Sequence, residues 1–237
     1  MMTPSTPIPA PDCRVHIFDM DHTLIDNDCD LSWQTYLQAD GRAEITNLFW
    51  RDFYYNMYRL GRLNVPAFLR FQYSEMIGRT KDELRSSFDA HYERYVRGAI
   101  YPEARALLAQ LRGEGRITAI CTASAAVLAE NLQRELNVEH LLGTQLRTDG
   151  AGRYTGEIEE PYCYGPGKIE WVSRFCREHG FSLDDAAYYG DSATDIPVME
   201  ACGHAVAVNP APQLERRARA QGWPIVHFER SGEAVQA

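Results

Sequence analysis

Two carboxylates two residues apart, Asp19 and Asp21, directly follow the apolar run Val15 to Phe18, and Thr23 completes a D-x-D-x-T pattern. A carboxylate placed this way can attack phosphorus and form an aspartyl phosphate, which divides one difficult hydrolysis into two easier displacements. A second acid beside it can protonate the leaving alkoxide and later deprotonate the attacking water. That role calls for a pKa raised by acidic neighbours. Acidic residues after a strand also serve as plain turn or cap groups, so the pattern needs support from elsewhere in the chain.

A second acidic pair supplies some of it. Asp191 and Asp195 lie four apart in Gly190-Asp191-Ser192-Ala193-Thr194-Asp195, after the apolar run Ala186 to Tyr189. Thr122 follows the run Ile117 to Cys121 and reads either as an ordinary helix-start hydroxyl or as a phosphate donor. Lys168, in Gly165-Pro166-Gly167-Lys168, sits near a helix start, where a basic side chain opposes the helix dipole.

Asp19, Thr122 and Asp191 each fall at the carboxyl end of a strand expected to be parallel, the edge of an open α/β sheet where ligands bind. Mg²⁺ prefers hard oxygen donors, and Asp19 and Asp191 offer them, with Asp21 adding its backbone carbonyl and Asp195 acting as a further or water-mediated ligand. Several carboxylates around a phosphate repel it unless cations and donors offset the charge, which gives Lys168 and Thr122 a purpose beyond the surface and the helix start.

The elements that must position these residues alternate. Strand-like runs occur at Val15 to Phe18, Ile117 to Cys121, Ala186 to Tyr189, Ala205 to Val208 and Ile225 to Phe228, with helical patterns between most of them. That alternation is the mark of a parallel sheet covered by helices. Pro102 to Arg112 reads as a helix closing on Gly113, and Ile169 to His179 as one closing on Gly180. Thr144 to Glu157 reads as a hairpin around Asp149-Gly150.

Between the first strand and Pro102, about Leu31 to Ile100, helical periodicity runs without a convincing strand, as expected of a helical insertion. Thr80 with Glu83 forms a capping box for a helix expected to reach about Arg97. Aromatic residues crowd this stretch (Phe49, Trp50, Phe53, Tyr54, Tyr55, Tyr58, Phe68, Phe71, Tyr73). Their spacing suits amphipathic helices burying one face, most rings going to core packing and one or two to a pocket.

The segments Asp19-Met20-Asp21-His22-Thr23, Ile120-Cys121-Thr122, Lys168 and Gly190 to Asp195 resemble, in order, the four motifs of the haloacid dehalogenase-like hydrolases, and the resemblance covers nearly the whole chain. It implies a Rossmann-like parallel-sheet core, residues 1–27 and 101–237, with an inserted all-helical cap of the C1 type, residues 28–100. It implies Asp19 as nucleophile, Asp21 as acid and base, Thr122 and Lys168 on the phosphate, and metal on Asp19, Asp21 and Asp191. The second acid of the first motif marks phosphatases and phosphomutases of the family, and the details are most similar to the subgroup containing phosphoserine phosphatase.

In that subgroup an acidic residue shortly after the first motif holds the substrate amine, a position taken here by Asp28, and a cap arginine holds its carboxylate. Aligning Gly61-Arg62-Leu63-Asn64 with the similar stretch of the family's cap puts that arginine at Gln72, with Arg70 close by. A cationic substrate without a carboxylate suits Asp28 and Asp30 and needs no such arginine. Asp28-Cys29-Asp30-Leu31-Ser32-Trp33 and Pro161-Tyr162-Cys163-Tyr164 also resemble histidinol-phosphatase-like members. The expected substrate is therefore an amino-alcohol phosphate, histidinol phosphate first, with phosphoserine, phosphoethanolamine and phosphocholine as alternatives and Thr23, Asp28, Asp30, Ser124 and Arg70 as its contacts. Asp28 and Asp30 read equally well as caps of the first insertion helix.

Composition narrows the classes further. With 24 Lys and Arg against 33 Asp and Glu, the formal charge of -9 argues against nucleic acid or anionic lipid as partner. Six scattered cysteines without C-x-x-C spacing read as free thiols in a reducing cytosol. Met1 to Asp12 lacks the pattern of a signal peptide, and no apolar run is long enough to cross a bilayer, so a cytoplasmic monomer or homodimer is expected. A phosphomutase or phosphotransferase would keep all four motifs. A non-catalytic phosphate sensor would be expected to lack one, and none is missing.

Overall fold

The computed structural model describes residues 11–41, 53, 54, 57 and 64–229. Phe49, Trp50, Tyr55, Tyr58, the Gly61-Arg62-Leu63 stretch and the first ten residues lie outside the described residues.

Six parallel strands form the main sheet in the order β3-β2-β1-β6-β7-β8: β1 Val15–Phe18, β2 Ile117–Ala125, β3 His140–Thr144, β6 Ala186–Gly190, β7 His204–Val208 and β8 Ile225–Val226. Alternate side chains feed two cores, as the two-residue period of a strand requires. Phe18, Ile120, Tyr189 and Val206 face one way, with Leu107 and Leu111 of α4 (Pro102–Gly113) and Leu132 of α5 (Ala126–Leu136). Ile17, Cys121, Tyr188 and Ala205 face the other, with Phe175 of α6 (Pro166–Glu178), Val198 of α7 (Ile196–Ala201) and Leu214 of α8 (Pro212–Gln221). The fold is the Rossmann-like α/β architecture expected.

Four of the five expected strands lie within a residue of their expected ends or run further, and β8 is shorter. β3 was not expected. Its Gly143 is a weak strand former, but a Cβ there would come 3.1 Å from the Ala126 backbone, so the strand takes glycine to let α5 approach. The hairpin forms as β4 (Leu146–Thr148) and β5 (Tyr154–Ile158), although its turn is longer than two residues. Asp149 organises that turn, its Oδ1 accepting the Ala151 and Arg153 N–H groups at 2.9 Å each. Among the described residues all six cysteines are free and buried, as expected.

The insertion is helical among its described residues: α1 Cys29–Ala39, α2 Val65–Gln72 and α3 Lys81–His91. Thr80 and Glu83 form the expected capping box of α3. The helix then departs from the expected run to Arg97, widening into a π-turn at Tyr92–Val96 that buries Tyr92 and Val96 in the core beside the sheet. A third apolar cluster joins the insertion to the rest: Trp33, Leu37, Leu69 and Phe88 pack with Val127 and Leu128 of α5 and Tyr154 of β5.

Candidate active site

The chain leaves β1 at Phe18, and Asp19 begins the loop with its N–H still donating to the Tyr189 carbonyl at 2.8 Å. This fixes the Asp19 side chain at the sheet's carboxyl edge, 6% exposed. Lys168 reaches it from the first turn of α6, donating to Asp19 Oδ1 at 2.6 Å and to Asp195 Oδ1 at 2.7 Å while only 2% exposed. Burial alone would strip the ammonium of its proton, but the two carboxylates outweigh it and hold the Lys168 pKa well above the ordinary range. Lys168 is therefore a fixed buried cation, which explains a basic residue at the unfavourable end of a helix dipole.

Asp191 follows β6 and is half-buried. One oxygen from each of Asp19, Asp191 and Asp195 lies within 4.8 Å of the others. Burial, then the charges of Asp19 and Asp195, pushes Asp191 up to about 9. Burial pushes Asp19 up to about 7, Lys168 pulling it down and Asp195 adding to the rise. Three hard oxygen donors whose repulsion one lysine does not offset fit a divalent cation. Asp195 fits an outer position. Its Oδ1 takes Lys168 and, at 3.3 Å, the Tyr188 hydroxyl, while its Oδ2 accepts from Ser192 N and Oγ at 3.3 and 3.1 Å. Gly190 makes room for it, since a Cβ there would sit 2.8 Å from the Asp195 carboxyl carbon.

Asp21 lies two residues past Asp19 with its carboxyl anchored at both oxygens, Oδ1 by the Cys29 N–H and Oδ2 by the Ser124 hydroxyl, each at 2.8 Å. Burial foremost, then Asp28 and Asp19, holds its pKa well above the usual carboxylate range, the condition expected of an acid that delivers a proton at neutral pH. Thr122 belongs to β2 itself rather than starting a helix, because β2 continues to Ala125 with a register irregularity after Thr122. Its hydroxyl accepts the Ser124 N–H at 3.1 Å, and the side chain is fully buried.

Asp21 and Ser124 also line a pocket of 270 Å³ shared with the insertion. Asp28 and Asp30 both face it. Asp28 caps α1, its Oδ1 accepting the Leu31 N–H at 2.8 Å. Asp30 is in the first turn, and its Oδ1 accepts the Tyr73 hydroxyl at 2.8 Å. Burial, then Asp28, pushes Asp30 up to about 8, with the Tyr73 bond pulling the other way. Gln72 is at the pocket as well, its Nε2 donating to the Asp30 carbonyl at 2.6 Å.

Two candidate residues do not join this set. Arg70 is exposed and lines a separate groove with Arg147, Gly156 and Glu157, because α2 turns that face toward the hairpin. Thr23 is fully buried, its hydroxyl makes no hydrogen bond to a described residue, and it is not among the residues lining the pocket. In the other direction, the Tyr188 and Ser192 contacts to Asp195 and the Tyr73 contact to Asp30 had no signal in the sequence beyond residue type. A wider cleft of 660 Å³ opens around Gly203 and Trp223, near the amino end of β7 and away from these groups.

The family model for haloacid dehalogenase-like hydrolases matches residues 17–200. A histidinol-phosphatase of Neisseria meningitidis serogroup C is 30% identical over 217 residues, covering 90% of this chain and 98% of that protein. A phosphoserine phosphatase of Mycobacterium tuberculosis is 30% identical over 179 residues, 74% of this chain and 54% of its own length. Among solved structures, a Bordetella pertussis protein of unknown function superposes with a TM-score of 0.83 at 28% identity, covering 90% of this chain and 98% of its own. A phosphoserine phosphatase solved as a phospho-aspartyl intermediate analogue shares the fold, with a TM-score of 0.65 at 18% identity over 92% of this chain and 95% of that one. The chain belongs to the haloacid dehalogenase-like hydrolases. Within them it is a phosphatase, acting on phosphoric monoesters.

Proposed function

We propose that the chain hydrolyses a small amino-alcohol phosphate, histidinol phosphate foremost, with Mg²⁺ at Asp19 and Asp191 and through a phosphoryl group carried on Asp19. The observation that carries this reading is the meeting of Asp19, Lys168, Thr122 and Asp191 at one sheet edge, beside an acid, Asp21, that faces a pocket of leaving-group size.

Lys168 occupies Asp19 Oδ1, so attack on phosphorus falls to Oδ2. As the new P–O bond forms and the ester P–O bond breaks, Asp21 gives its proton to the leaving alkoxide. The alcohol departs, and Asp21, now ionised, takes a proton from the water that attacks the aspartyl phosphate and releases inorganic phosphate. Lys168 and the Thr122 hydroxyl hold phosphate oxygens through both steps. Bound Mg²⁺, held by Asp19, Asp191 and the Asp21 backbone carbonyl with Asp195 outside them, would offset the charge crowded between phosphate and carboxylates. Residues 28–100 act as a cap over the core of 1–27 and 101–237, excluding water for the first step and admitting it for the second.

Asp28, Asp30 and Gln72 support a cationic alcohol. Among the described residues lining the pocket no arginine or lysine waits for a carboxylate, which counts against phosphoserine even though some relatives bear that name. The test is phosphate release from histidinol phosphate, phosphoserine, phosphoethanolamine, phosphocholine and sugar phosphates, with Mg²⁺ and with EDTA, using Asp19→Asn as the blank. A Mg²⁺-dependent and Asp19-dependent preference for histidinol phosphate is expected. Preference for phosphoserine would overturn the substrate reading, and phosphoryl transfer to an added alcohol without hydrolysis would replace the phosphatase reading with a mutase one.

A further inference from the structure

The pocket beside Asp21 has more aromatic wall than an aliphatic ammonium needs. From the insertion come Tyr54, Phe68 and Phe71, packed on one another with Tyr54 ring centroids 5.7 Å from Phe68 and 5.3 Å from Phe71. From the loop between β5 and α6 come Tyr162 and Tyr164, stacked at 5.5 Å with an interplanar angle of 16°. All are half-buried, so each keeps surface open.

Asp30 stands in the same pocket, half-buried. Asp28 has one oxygen committed to the α1 cap. The Asp30 carboxyl instead meets the Tyr73 hydroxyl, which in turn accepts the Ala125 N–H at 3.0 Å, so Tyr73 ties it to the end of β2 that carries Ser124. Among the described residues no lysine or arginine pairs with it. A desolvated carboxyl in a pocket walled by aromatic rings is a receptor for a flat group that both stacks and donates an N–H to a carboxyl oxygen.

Resting on the phosphatase reading above and deepening it, we propose that this pocket selects the leaving alcohol by a planar nitrogen heterocycle, stacked between the insertion and loop aromatics with a ring N–H on Asp30, rather than by its amine. The specificity of the enzyme is then set at Asp30 and Tyr164. Asp21 stays with the ester oxygen.

Two synthetic esters separate ring from amine. 3-(Imidazol-4-yl)propyl phosphate keeps the ring and lacks the amine, and 2-aminopropyl phosphate keeps the amine and lacks the ring. The ring ester should show the higher kcat/KM by about tenfold or more, because a site built to accept an N–H leaves a buried acceptor unpaired when the N–H is missing. Asp30→Asn and Tyr164→Leu should each cut that ratio severalfold, mainly through KM. Asn preserves shape and Tyr164 is half-buried, so at least one variant should fold. Equal or reversed preference in the wild type, or an unchanged ratio in both variants, would overturn the proposal while leaving the phosphatase intact. Calorimetric binding of 3-(imidazol-4-yl)propanol does not depend on turnover. It should be detectable in wild type and weakened in Asp30→Asn even if the catalytic reading fails, and no binding to wild type would refute ring recognition by itself.

Discussion

At the scale of residues, the site is a concentration of like charge that the protein alone leaves only partly offset. Burial pushes Asp19 up to about 7, with Lys168 opposing the rise and Asp195 adding to it, and burial, then the charges of Asp19 and Asp195, pushes Asp191 up to about 9. A carboxyl raised in the folded state stabilises fully below its unfolded pKa, and that stability is lost as pH rises through the folded value. Metal-free protein should therefore lose thermal stability between about pH 4 and pH 9, and added Mg²⁺ should restore it. Asp191→Asn should raise the metal-free Tm by about 2–6 °C, abolish the Tm gain on adding Mg²⁺, and lower activity by about a hundredfold or more. A normal Mg²⁺ response in this variant would remove Asp191 from the metal. His91 titrates in the opposite sense. Fully buried against Trp33 and bonded through Nε2 to Ser32 Oγ at 2.9 Å, it is pushed down to about 4 by burial. A depressed folded pKa means stability present above the unfolded value of about 6.5 and lost as pH falls toward about 4, by at most about 3 kcal/mol for this residue. His91→Gln should flatten the Tm profile across that window, and an unaltered slope would show that His91 does not titrate there.

At the scale of elements, two positions test how closely strands and helices must approach to build the site. Gly190 ends β6 where a Cβ would strike the Asp195 carboxyl at 2.8 Å, so Gly190→Ala should displace Asp195 and loosen Lys168. The expected outcome is activity down about tenfold or more with a Tm change of only a few degrees, and full activity would mean that Asp195 has slack. The core strands were legible because they are short apolar runs bounded by turn residues, and the capping box of α3 because its chemistry is local. β3 was not, since the reason for Gly143 lies in its contact with α5, outside any window of sequence. Thr122 could be read either as a helix start or as a phosphate donor at a strand end for a related reason: the strand runs on to Ala125 past an irregularity in its pairing with β3, and that pairing is not local either.

At the scale of the molecule, Asp19, Thr122 and Asp191 come to one edge because parallel strands run the same way, and Lys168 reaches that edge from the first turn of α6. Substrate contacts were less legible. They depend on how the insertion turns against the core, and that packing places Asp30 and Gln72 at the pocket, with Tyr73 buried behind Asp30, but sends Arg70 to another face. Among the described residues no helix is long and apolar enough to cross a membrane. The proposed mechanism puts the covalent step at Asp19, and this can be observed directly. Enzyme mixed with Mg²⁺ and histidinol phosphate, quenched in acid within the first turnovers and digested, should yield the peptide containing Asp19 heavier by one phosphoryl group, with no such peptide from Asp19→Asn. A phosphoryl group on any other residue, or steady hydrolysis by Asp19→Asn, would contradict the account.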